Sequence, residues 1–207
     1  MKKYLLFSLA AWRLFGMAIL LLLGSSMAFA QANEPYIYGE IGGGDGSHGL
    51  FQMTLNTVFS KNNIISISYY YASRRSPTPS DFQPGLDIPA FPQQVLSVFG
   101  LSYGKVFFSK TPCVRFILKG GLCAGVTLTP VDFEYNTNRF FSSNYNYSNQ
   151  EEFVIGVVFN PVIEFPIGRG FGFSIGPYVN VNAVSSVLAV ETSMMFGKLR
   201  GRKHGNY

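Results

Sequence analysis

The chain is poor in charge, cysteine and histidine, and each shortage excludes a class of protein. Charged residues make up 13% of the 207 residues, against roughly a quarter in ordinary soluble domains, which argues against a helical bundle or coiled coil. Two cysteines exclude a disulfide-dense scaffold, and two histidines leave little for a histidine-built metal site. The glycine runs lack the G-x-G-x-x-G order of a nucleotide loop. We therefore expect no cofactor and no bound metal.

The start of the chain has the parts of a secretory signal peptide. A basic start precedes the apolar block 14–23 and an A-x-A end at 28–30, so residues 1–30 are predicted to be removed by cleavage after Ala30. The block is too short to span a bilayer of ~30 Å as a helix, which disfavours an uncleaved anchor. Residues 31–197 then carry 9 basic and 11 acidic residues. The pI near 9.2 thus reflects the leader and the tail, and does not indicate nucleic-acid binding.

Aromatic residues make up 16% of the chain, and the sequence after the leader alternates with a period of two. Within one segment, for example, Phe153, Ile155 and Val157 fall on one side, and smaller or polar residues fall on the other. This alternation is typical of β-strands with one large apolar face. Eight such segments can be drawn, at 35–43, 50–60, 64–73, 94–108, 113–129, 152–165, 170–182 and 186–197.

Two further features favour a membrane barrel. No stretch after residue 30 has 18 unbroken apolar residues, so an integral protein of this sequence would have to cross the bilayer as a closed barrel. The connections after even-numbered strands are short, and the long ones follow strands 3 and 5, as in outer-membrane barrels. The small or polar face carries few charges, so we predict that it lines a narrow lumen and that the opposite face meets lipid. A secreted soluble β-barrel that binds an apolar ligand inside would have the two faces reversed.

On these features the sequence resembles the small eight-stranded outer-membrane barrels of the OmpA/OmpX type, over the whole of residues 31–197. The resemblance implies an all-β, antiparallel up-and-down transmembrane barrel in the cell outer membrane, in contact with outer-membrane lipid and lipopolysaccharide. The last strand ends in Phe196 and resembles the signal that the barrel-assembly machinery recognises in such porin-like envelope proteins. The basic tail at 198–207 departs from the usual pattern and is expected to lie in the periplasm.

Four charged residues fall on the face predicted to point inward. They are Arg115, Lys119, Glu164 and Glu191. Arg115 would lie nearly opposite Glu164 on the neighbouring strand. Buried charges need partners, so we interpret the set as a salt-bridge cluster that plugs a lumen too narrow to conduct. A proton or ion path is the alternative, and conductance across a planar bilayer distinguishes the two interpretations.

The two long loops are the candidates for recognition. Loop 73–93 holds five of the eleven prolines, which limit its freedom, and two arginines that would lie at the height of lipopolysaccharide phosphates. Loop 130–151 is rich in Tyr, Asn, Ser and Phe, a composition typical of adaptable contact surfaces. We predict recognition of an extracellular ligand, or adhesion to a host surface, through Arg74, Arg75, Phe82, Tyr135, Phe140, Phe141, Tyr145 and Tyr147. Plain solvation of the arginines and a disordered, variable loop are the alternatives.

A lipid A-modifying hydrolase or acyltransferase at the outer rim is the alternative function. The residues available for it are Ser47, His48, Ser80 and Asp81. Pro161 and Pro177 also face each other approximately across strands 6 and 7, and two missing N–H donors there could open a lateral gate to lipid. Because no motif of such enzymes is present and a lone loop histidine is seldom catalytic, we predict a non-catalytic protein.

Overall fold

The computed structural model describes residues 35–59, 62–85, 91–109, 114–137 and 143–199, and the predicted signal peptide lies outside them. Eight strands run through this part of the chain: β1 Tyr36–Gly46, β2 Gly49–Phe59, β3 Asn63–Arg75, β4 Gln93–Phe108, β5 Arg115–Tyr135, β6 Tyr145–Pro166, β7 Phe171–Asn182 and β8 Val187–Gly197. Each pairs antiparallel with its neighbour in sequence, and β8 pairs with β1, so the sheet closes into an up-and-down barrel. Among the described residues, no helix is long and apolar enough to cross a membrane.

The connections divide the barrel into two ends. Those after even-numbered strands, at 60–62, 109–114 and 167–170, define what we call the turn end. Those after odd-numbered strands, at 47–48, 76–92, 136–144 and 183–186, define the loop end. The fold class and the eight strands agree with the prediction from the alternating sequence, and the loop predicted at 73–93 has slightly narrower limits.

β5 and β6 extend well beyond their predicted limits. β5 continues to Tyr135 and β6 begins at Tyr145, so most of the predicted loop 130–151 is strand, and that prediction is wrong. The two added segments pair with each other, with Tyr135 opposite Tyr145 at the tip. Asp, Asn and Pro in this stretch indicated a loop, but cross-strand pairing satisfies the backbone groups and outweighs their low strand propensity.

The strand faces point as predicted for a barrel wall in lipid. Phe153 and Ile155 are each 66% exposed and Val157 is 53% exposed, whereas Val154 and Val158 in the alternate series are only 4% and 3% exposed. The bulky apolar side chains therefore cover the outside of the wall, and the alternate side chains fill the lumen. A soluble barrel with an apolar interior has the opposite orientation, so the secreted ligand-binding alternative is wrong.

The lumen is filled in layers. Near the loop end lies an apolar cluster that includes Tyr70 and Tyr178, whose ring centroids are 4.2 Å apart. Near the turn end lies a second cluster that includes Tyr38 and Met195. The level between them contains buried polar side chains, among them Glu40, Gln52, Asn56, Lys119, Asn160 and Glu191. The prediction of a small and polar lumen was thus correct for its middle but missed the large rings above and below.

Candidate functional site at the loop end and in the lumen

Arg115 and Glu164 form a buried ion pair near the turn end of the lumen. They are partners in the register of β5 and β6, and their side chains are 2% and 0% exposed. The Tyr38 hydroxyl donates to Glu164 Oε1 at 2.8 Å, and Arg115 Nη1 donates to the Tyr36 hydroxyl at 3.1 Å. The Arg115 guanidinium also lies 4.8 Å from the Tyr38 ring centroid. These contacts compensate the burial of both charges.

The chain after β8 closes the turn end beneath this pair. Gly197 has φ of +125°, a conformation that favours glycine, and it turns the chain back under the barrel. Leu199 is then fully buried, its N–H donates to the Arg169 carbonyl at 2.9 Å, and its carbonyl accepts from Arg115 Nη1 at 2.7 Å. Leu199, the second residue of the tail predicted at 198–207, is therefore packed inside the barrel, and the residues from 200 onward lie outside the described part.

Lys119 and Glu191 lie in a separate polar group at mid-lumen. They are 3% and 2% exposed. Lys119 is the register partner of Asn160, whose side-chain amide donates to Glu191 Oε1 at 2.8 Å. Asn56 donates to Glu40 Oε1 at the same distance of 2.8 Å on the facing strands. The four charged residues expected inside are all buried, but they form two groups, and only the first contains an ion pair within the described residues.

Pro161 on β6 lies opposite Pro177 on β7. Pairing between these strands stops after Phe159 and resumes at Ile163, so the three positions between have no ladder partner on β7 in this described part of the wall. The Asn160 side-chain amide donates to the Pro177 carbonyl oxygen at 2.9 Å. A lumen side chain thereby supplies one of the hydrogen bonds that two prolines cannot make.

A bulge at Asp132 determines which side chains gather at the loop end. Asp132 has φ of 54°, and the pairing of β5 with β6 shifts by one residue around it. Because side chains alternate along a strand, this shift moves Phe133 and Tyr135 from the lumen-facing series of β5 to the other face. Ser148 Oγ donates to Asp132 Oδ2 at 2.9 Å and stabilises the bulge.

The bulge brings six rings from three segments together. We call them the aromatic platform: Phe82, Phe91, Phe133, Tyr135, Tyr145 and Tyr147. The ring centroids of Tyr135 and Tyr145 are 5.5 Å apart in an edge-to-face arrangement. Those of Phe133 and Tyr147 are 5.7 Å apart. Phe82, from the loop after β3, stacks on Tyr145 at 6.3 Å. These separations are within the range of favourable aromatic pairs.

Hydrogen bonds connect the loop after β3 to the hairpin that the extended ends of β5 and β6 form at the loop end. The Tyr145 hydroxyl donates to both carboxylate oxygens of Asp81, at 2.9 and 3.0 Å, and this bond raises the pKa of Tyr145, so the phenol stays protonated. The buried Asn144 side chain accepts from the Gln83 N–H at 2.6 Å and donates to the Asp81 carbonyl at 2.8 Å. The platform is therefore held by specific polar contacts as well as by its rings.

Arg74 and Arg75 are exposed at the end of β3 but contact neighbouring side chains. The Arg75 guanidinium carbon lies 3.6 Å from the Phe91 ring centroid. Arg74 Nε donates to Gln94 Oε1 at 2.7 Å, and Gln94 donates to Thr129 Oγ1 at 3.1 Å. Arg75 thus supports the edge of the aromatic platform, and Arg74 joins the ends of three strands.

The structure does not assemble the catalytic group considered for a lipid-modifying enzyme. His48 is 2% exposed and lies between two hydroxyls, with Ser47 Oγ 2.9 Å from Nδ1 and Ser185 Oγ 3.3 Å from Nε2. Asp81 bonds to Tyr145 instead. Within the described residues, His48 therefore has no carboxylate hydrogen-bond partner to orient it as a general base. Burial and the charge of a nearby arginine lower its pKa, which favours the neutral imidazole.

Several platform residues were not identified from the sequence. Phe91 and Phe133 lay outside the predicted set. The face of Phe133 depends on a bulge that alternation does not reveal. The signal was available at Asp132, since aspartate is one of the few residues that tolerates positive φ within a strand. Phe140 and Phe141, predicted to belong to this surface, lie outside the described residues.

Comparison with known proteins gives matches in structure only. No family model matches the chain, and no curated protein matches its sequence. The N-terminal β-barrel domain of Pseudomonas aeruginosa OprF superposes with a TM-score of 0.53 at 10% identity, over 81% of this chain and 99% of that one. Yersinia pestis Ail in a phospholipid nanodisc gives 0.47 at 11% identity, over 79% and 99%. Neisserial surface protein A gives 0.40 at 12% identity, over 79% and 92%.

The fold and the wall together establish the class of protein. OprF's N-terminal domain is a β-barrel that this chain covers almost completely. The present barrel is closed, has eight antiparallel strands and carries its large apolar side chains outside. A wall of that kind is stable in hydrocarbon, where every backbone group must be paired within the protein. The chain therefore has the fold of a small eight-stranded outer-membrane β-barrel, and its outer face suits contact with lipid.

Proposed function

We propose that the protein is a non-catalytic outer-membrane barrel that uses the aromatic platform to recognise or adhere to a surface outside the cell. The observation that supports this function most directly is the bulge at Asp132, which gathers rings from β5 and β6 on one face. The bulge is a backbone irregularity whose effect is to change which side chains are presented. Bulges that redirect side chains are common beside functional sites.

The platform combines exposed contact area with internal support. Tyr135 is 58% exposed and Tyr147 is 41% exposed, so both present ring surface to a partner. Phe82 and Phe133 are half-buried beneath them. A tyrosine that is already held by its neighbours loses little conformational freedom on binding, so more of its buried area contributes to affinity.

The charge of the hairpin indicates which kind of partner surface fits the platform. The hairpin above the barrel carries acidic side chains, and its described residues in 128–137 and 143–152 include no lysine or arginine. The acidic residues are Asp132, Glu134, Glu151 and Glu152. Asp81 lies beside them through its bond to Tyr145. Arg75 at the edge of the platform offsets part of this charge, but at the hairpin itself complementarity favours a neutral or basic protein surface over a polyanion.

The same proposal includes a lumen that does not conduct. Two apolar clusters fill its ends, and the Arg115–Glu164 pair and Leu199 occupy the turn end. Side chains fill the interior of small eight-stranded barrels in general. We expect the purified protein in a planar bilayer to show no sustained channel events. Stable openings on the order of nanosiemens, larger than a packed barrel of eight strands allows, would contradict this part of the proposal.

Adhesion of whole cells tests the recognition function. The chain is expressed in a non-adherent laboratory bacterium, and binding is counted on immobilised matrix proteins and on cultured epithelial cells. We expect Tyr135→Ser/Tyr147→Ser to reduce binding about tenfold or more, since two exposed aromatic contacts are lost. The matched control, Asn149→Ser/Gln150→Ser, changes exposed side chains of the same hairpin outside the platform and should bind normally.

The level of folded protein is measured for each strain by its mobility shift on boiling. The proposal fails if cells with the unmodified chain bind no better than cells without it. It also fails if the tyrosine variant, present at the same folded level, binds as well as the control variant.

A further inference from the structure

The buried charges of the lumen do not balance. Within the described residues, the three buried carboxylates are Glu40, Glu164 and Glu191, and the two buried cations are Arg115 and Lys119. His48 at the rim favours its neutral form, as described above, and adds no charge. One negative charge is therefore in surplus. Because an uncompensated charge enclosed by protein and hydrocarbon is strongly unfavourable, the folded lumen needs one further positive charge.

The surplus charge lies at mid-lumen, on the side of Glu40. Arg115 pairs with Glu164. Lys119 attracts Glu191 electrostatically, whereas Glu40 is repelled by both other carboxylates. Asn56 donates to Glu40 Oε1 at 2.8 Å, but Oε2 is buried without a hydrogen-bond partner. Each lumen cation is thus associated with a carboxylate other than Glu40.

Three more buried oxygens of this level have no hydrogen-bond donor. They are Gln52 Oε1, Asn160 Oδ1 and Glu191 Oε2. The amide nitrogens are already used, because Gln52 Nε2 donates to Ser193 Oγ, and Asn160 Nδ2 donates to Glu191 Oε1 at 2.8 Å and to the Pro177 carbonyl at 2.9 Å. Turning the Asn160 amide over would bring its oxygen against two acceptors. The amide oxygens are therefore free acceptors.

These oxygens belong to one region around Glu191. The register partners of Glu191 on the neighbouring strands are Gly44 and Gly176, which have no side chain to contact it. Gln52 from β2 and Asn160 from β6 hydrogen-bond to Glu191 instead. Since Glu40 also interacts with Glu191 electrostatically, two carboxylates and two amides from four strands meet at mid-lumen.

We propose that this region binds one monovalent alkali-metal cation, such as sodium. Its ligands are Glu40 Oε2, Gln52 Oε1, Asn160 Oδ1 and Glu191 Oε2. Oxygens of this kind replace the water around an alkali cation, as backbone carbonyls do in potassium channels. One positive charge restores the balance exactly once, whereas a water molecule donates hydrogen bonds but leaves the surplus charge, and a divalent ion would exceed it.

The chemistry of the ligands explains why the sequence predicted no bound metal. Among the described residues, no three His, Cys, Asp or Glu side chains are grouped as in transition-metal sites. Two of the four proposed ligands are amides, and each ligand comes from a different strand, so no ligand spacing is visible in the sequence.

The proposed cation has a structural role, and this inference does not depend on the recognition function. Apolar clusters fill the lumen on both sides of the site, so the ion is held there and does not pass through. Folding therefore takes up one cation, and the stability of the barrel increases with the concentration of that cation.

Urea unfolding of the full chain in vesicles of phosphatidylcholine tests this linkage. Sodium chloride is varied, and choline chloride, whose cation is too large for the site, keeps the ionic strength constant. We expect the folding equilibrium constant to rise about tenfold for each tenfold rise in sodium above its dissociation constant, which corresponds to uptake of one ion. Glu40→Gln removes the surplus charge and should be equally stable in both salts. Glu191→Gln serves the same purpose if the first variant does not fold.

Asp45→Asn is the matched control, because it removes one carboxylate from the same strand at an exposed position. It should keep the full dependence on sodium. If the unmodified chain is equally stable in sodium and in choline, the proposal is wrong and a proton neutralises the surplus charge. A dependence on sodium that the glutamine variant retains to the same degree as Asp45→Asn also overturns it, as does stabilisation by magnesium chloride instead of sodium chloride.

Discussion

The lower and upper parts of β5 and β6 belong to the same strand pair but present their side chains differently. In the barrel body, alternation is strict: Phe153 and Ile155 are each 66% exposed, and Val154 between them is 4% exposed. In the hairpin above, a bulge at Asp132 interrupts the alternation and places aromatic residues from both strands on one face. The body is specified by what surrounds each face, and the hairpin by contacts that it makes with the neighbouring loop.

The physical reason is the difference in surroundings. In the body one face meets lipid and the other a packed lumen, so a shift of one residue would exchange the two and is strongly disfavoured. Above the membrane both faces are in contact with water or with loop residues, and a shift costs only local hydrogen bonds. Substitutions that act on one part and not on the other test this distinction.

The largest effect is expected in the body, from Arg115→Met. The change leaves the Glu164 carboxylate buried without its cation and removes a hydrogen bond to the Leu199 carbonyl. We expect the free energy of unfolding to fall by about 3–5 kcal/mol, as when one partner of a buried ion pair is removed. Urea titration of the protein in lipid vesicles, followed by circular dichroism, measures it.

A double variant provides the control for that prediction. Arg115→Met/Glu164→Gln removes both charges and should recover part of the lost stability, because no uncompensated charge remains. The aromatic platform should be intact in both variants, as reported by near-ultraviolet circular dichroism of its tyrosines. Equal destabilisation by the single and double variants would show that the ion pair does not couple these residues.

The second effect is confined to the hairpin and comes from deletion of Asp132. Without the bulge, regular pairing returns Phe133 and Tyr135 to the opposite face and separates them from Tyr145. We expect a loss of about 1–3 kcal/mol in local stability, the value of a few aromatic pairs. Limited proteolysis in the loop 76–92, which Tyr145 and Asn144 secure, should become faster.

Asp132→Gly is the matched control for the deletion, since glycine adopts the same positive φ and keeps the bulge. The loop 76–92 of this variant should be cleaved about as fast as that of the unmodified chain, apart from the small effect of losing the Ser148 contact. Both variants should migrate as folded barrels in unboiled samples. A deletion variant that resists proteolysis as well as the glycine variant would contradict the role given to the bulge.

The third effect has the opposite sign and acts on the wall of the body. In Pro161→Val/Pro177→Val both strands regain N–H donors where the β6–β7 pairing is interrupted. We expect a gain of about 1–2 kcal/mol from two restored hydrogen bonds. Hydrogen exchange at the amide of Ile163, where the β6–β7 pairing resumes, should slow as well. An unchanged exchange rate would mean that β6 and β7 remain unpaired at this point. The interruption of the wall would then have a cause other than the two prolines.

The smallest effect concerns the rim between the two parts and depends on pH. Burial and the charge of Arg74 lower the pKa of His48 below its usual value of 6.5. The folded protein therefore favours the neutral imidazole, which lies between the hydroxyls of Ser47 and Ser185. The associated stability is present above pH 6.5 and is lost as pH falls through the lowered pKa. We expect less than about 1 kcal/mol.

Urea midpoints of the unmodified chain and of His48→Gln, compared at pH 7.5 and pH 5, measure this effect. The glutamine side chain does not titrate, so its stability should change less between the two pH values. If both proteins lose the same stability on acidification, the rim histidine is not responsible.

The barrel body and the hairpin also differ in how well the sequence predicts them. Residues of the body were assigned to the correct face because Phe153, Ile155 and Val157 alternate with smaller side chains, and two environments select between them. The pairing of Arg115 with Glu164 followed from pairing strands 5 and 6 antiparallel around the middle of the loop that joins them. In these cases local pattern and global fold agree, and the pattern alone is sufficient.

The hairpin could not be predicted in the same way. Its strand extension to Tyr135 depends on pairing with Tyr145, and its face depends on one residue of positive φ at Asp132. Neither leaves a periodic signal, because both faces there are accessible to polar groups. The burial of Leu199 was also missed, since a single apolar residue in a basic tail shows no pattern.

The length of β5 and β6 has a consequence for what meets the cell from outside. They contain 21 and 22 residues, and a membrane-spanning strand needs only about 9–11. Roughly ten residues of each strand, tilted at about 40°, therefore rise some 25 Å clear of the hydrocarbon. In the orientation proposed above, with the loop end outside the cell, antibodies, phage fibres and proteases would contact this projection before any other described part of the chain, so substitutions in it would affect their binding first.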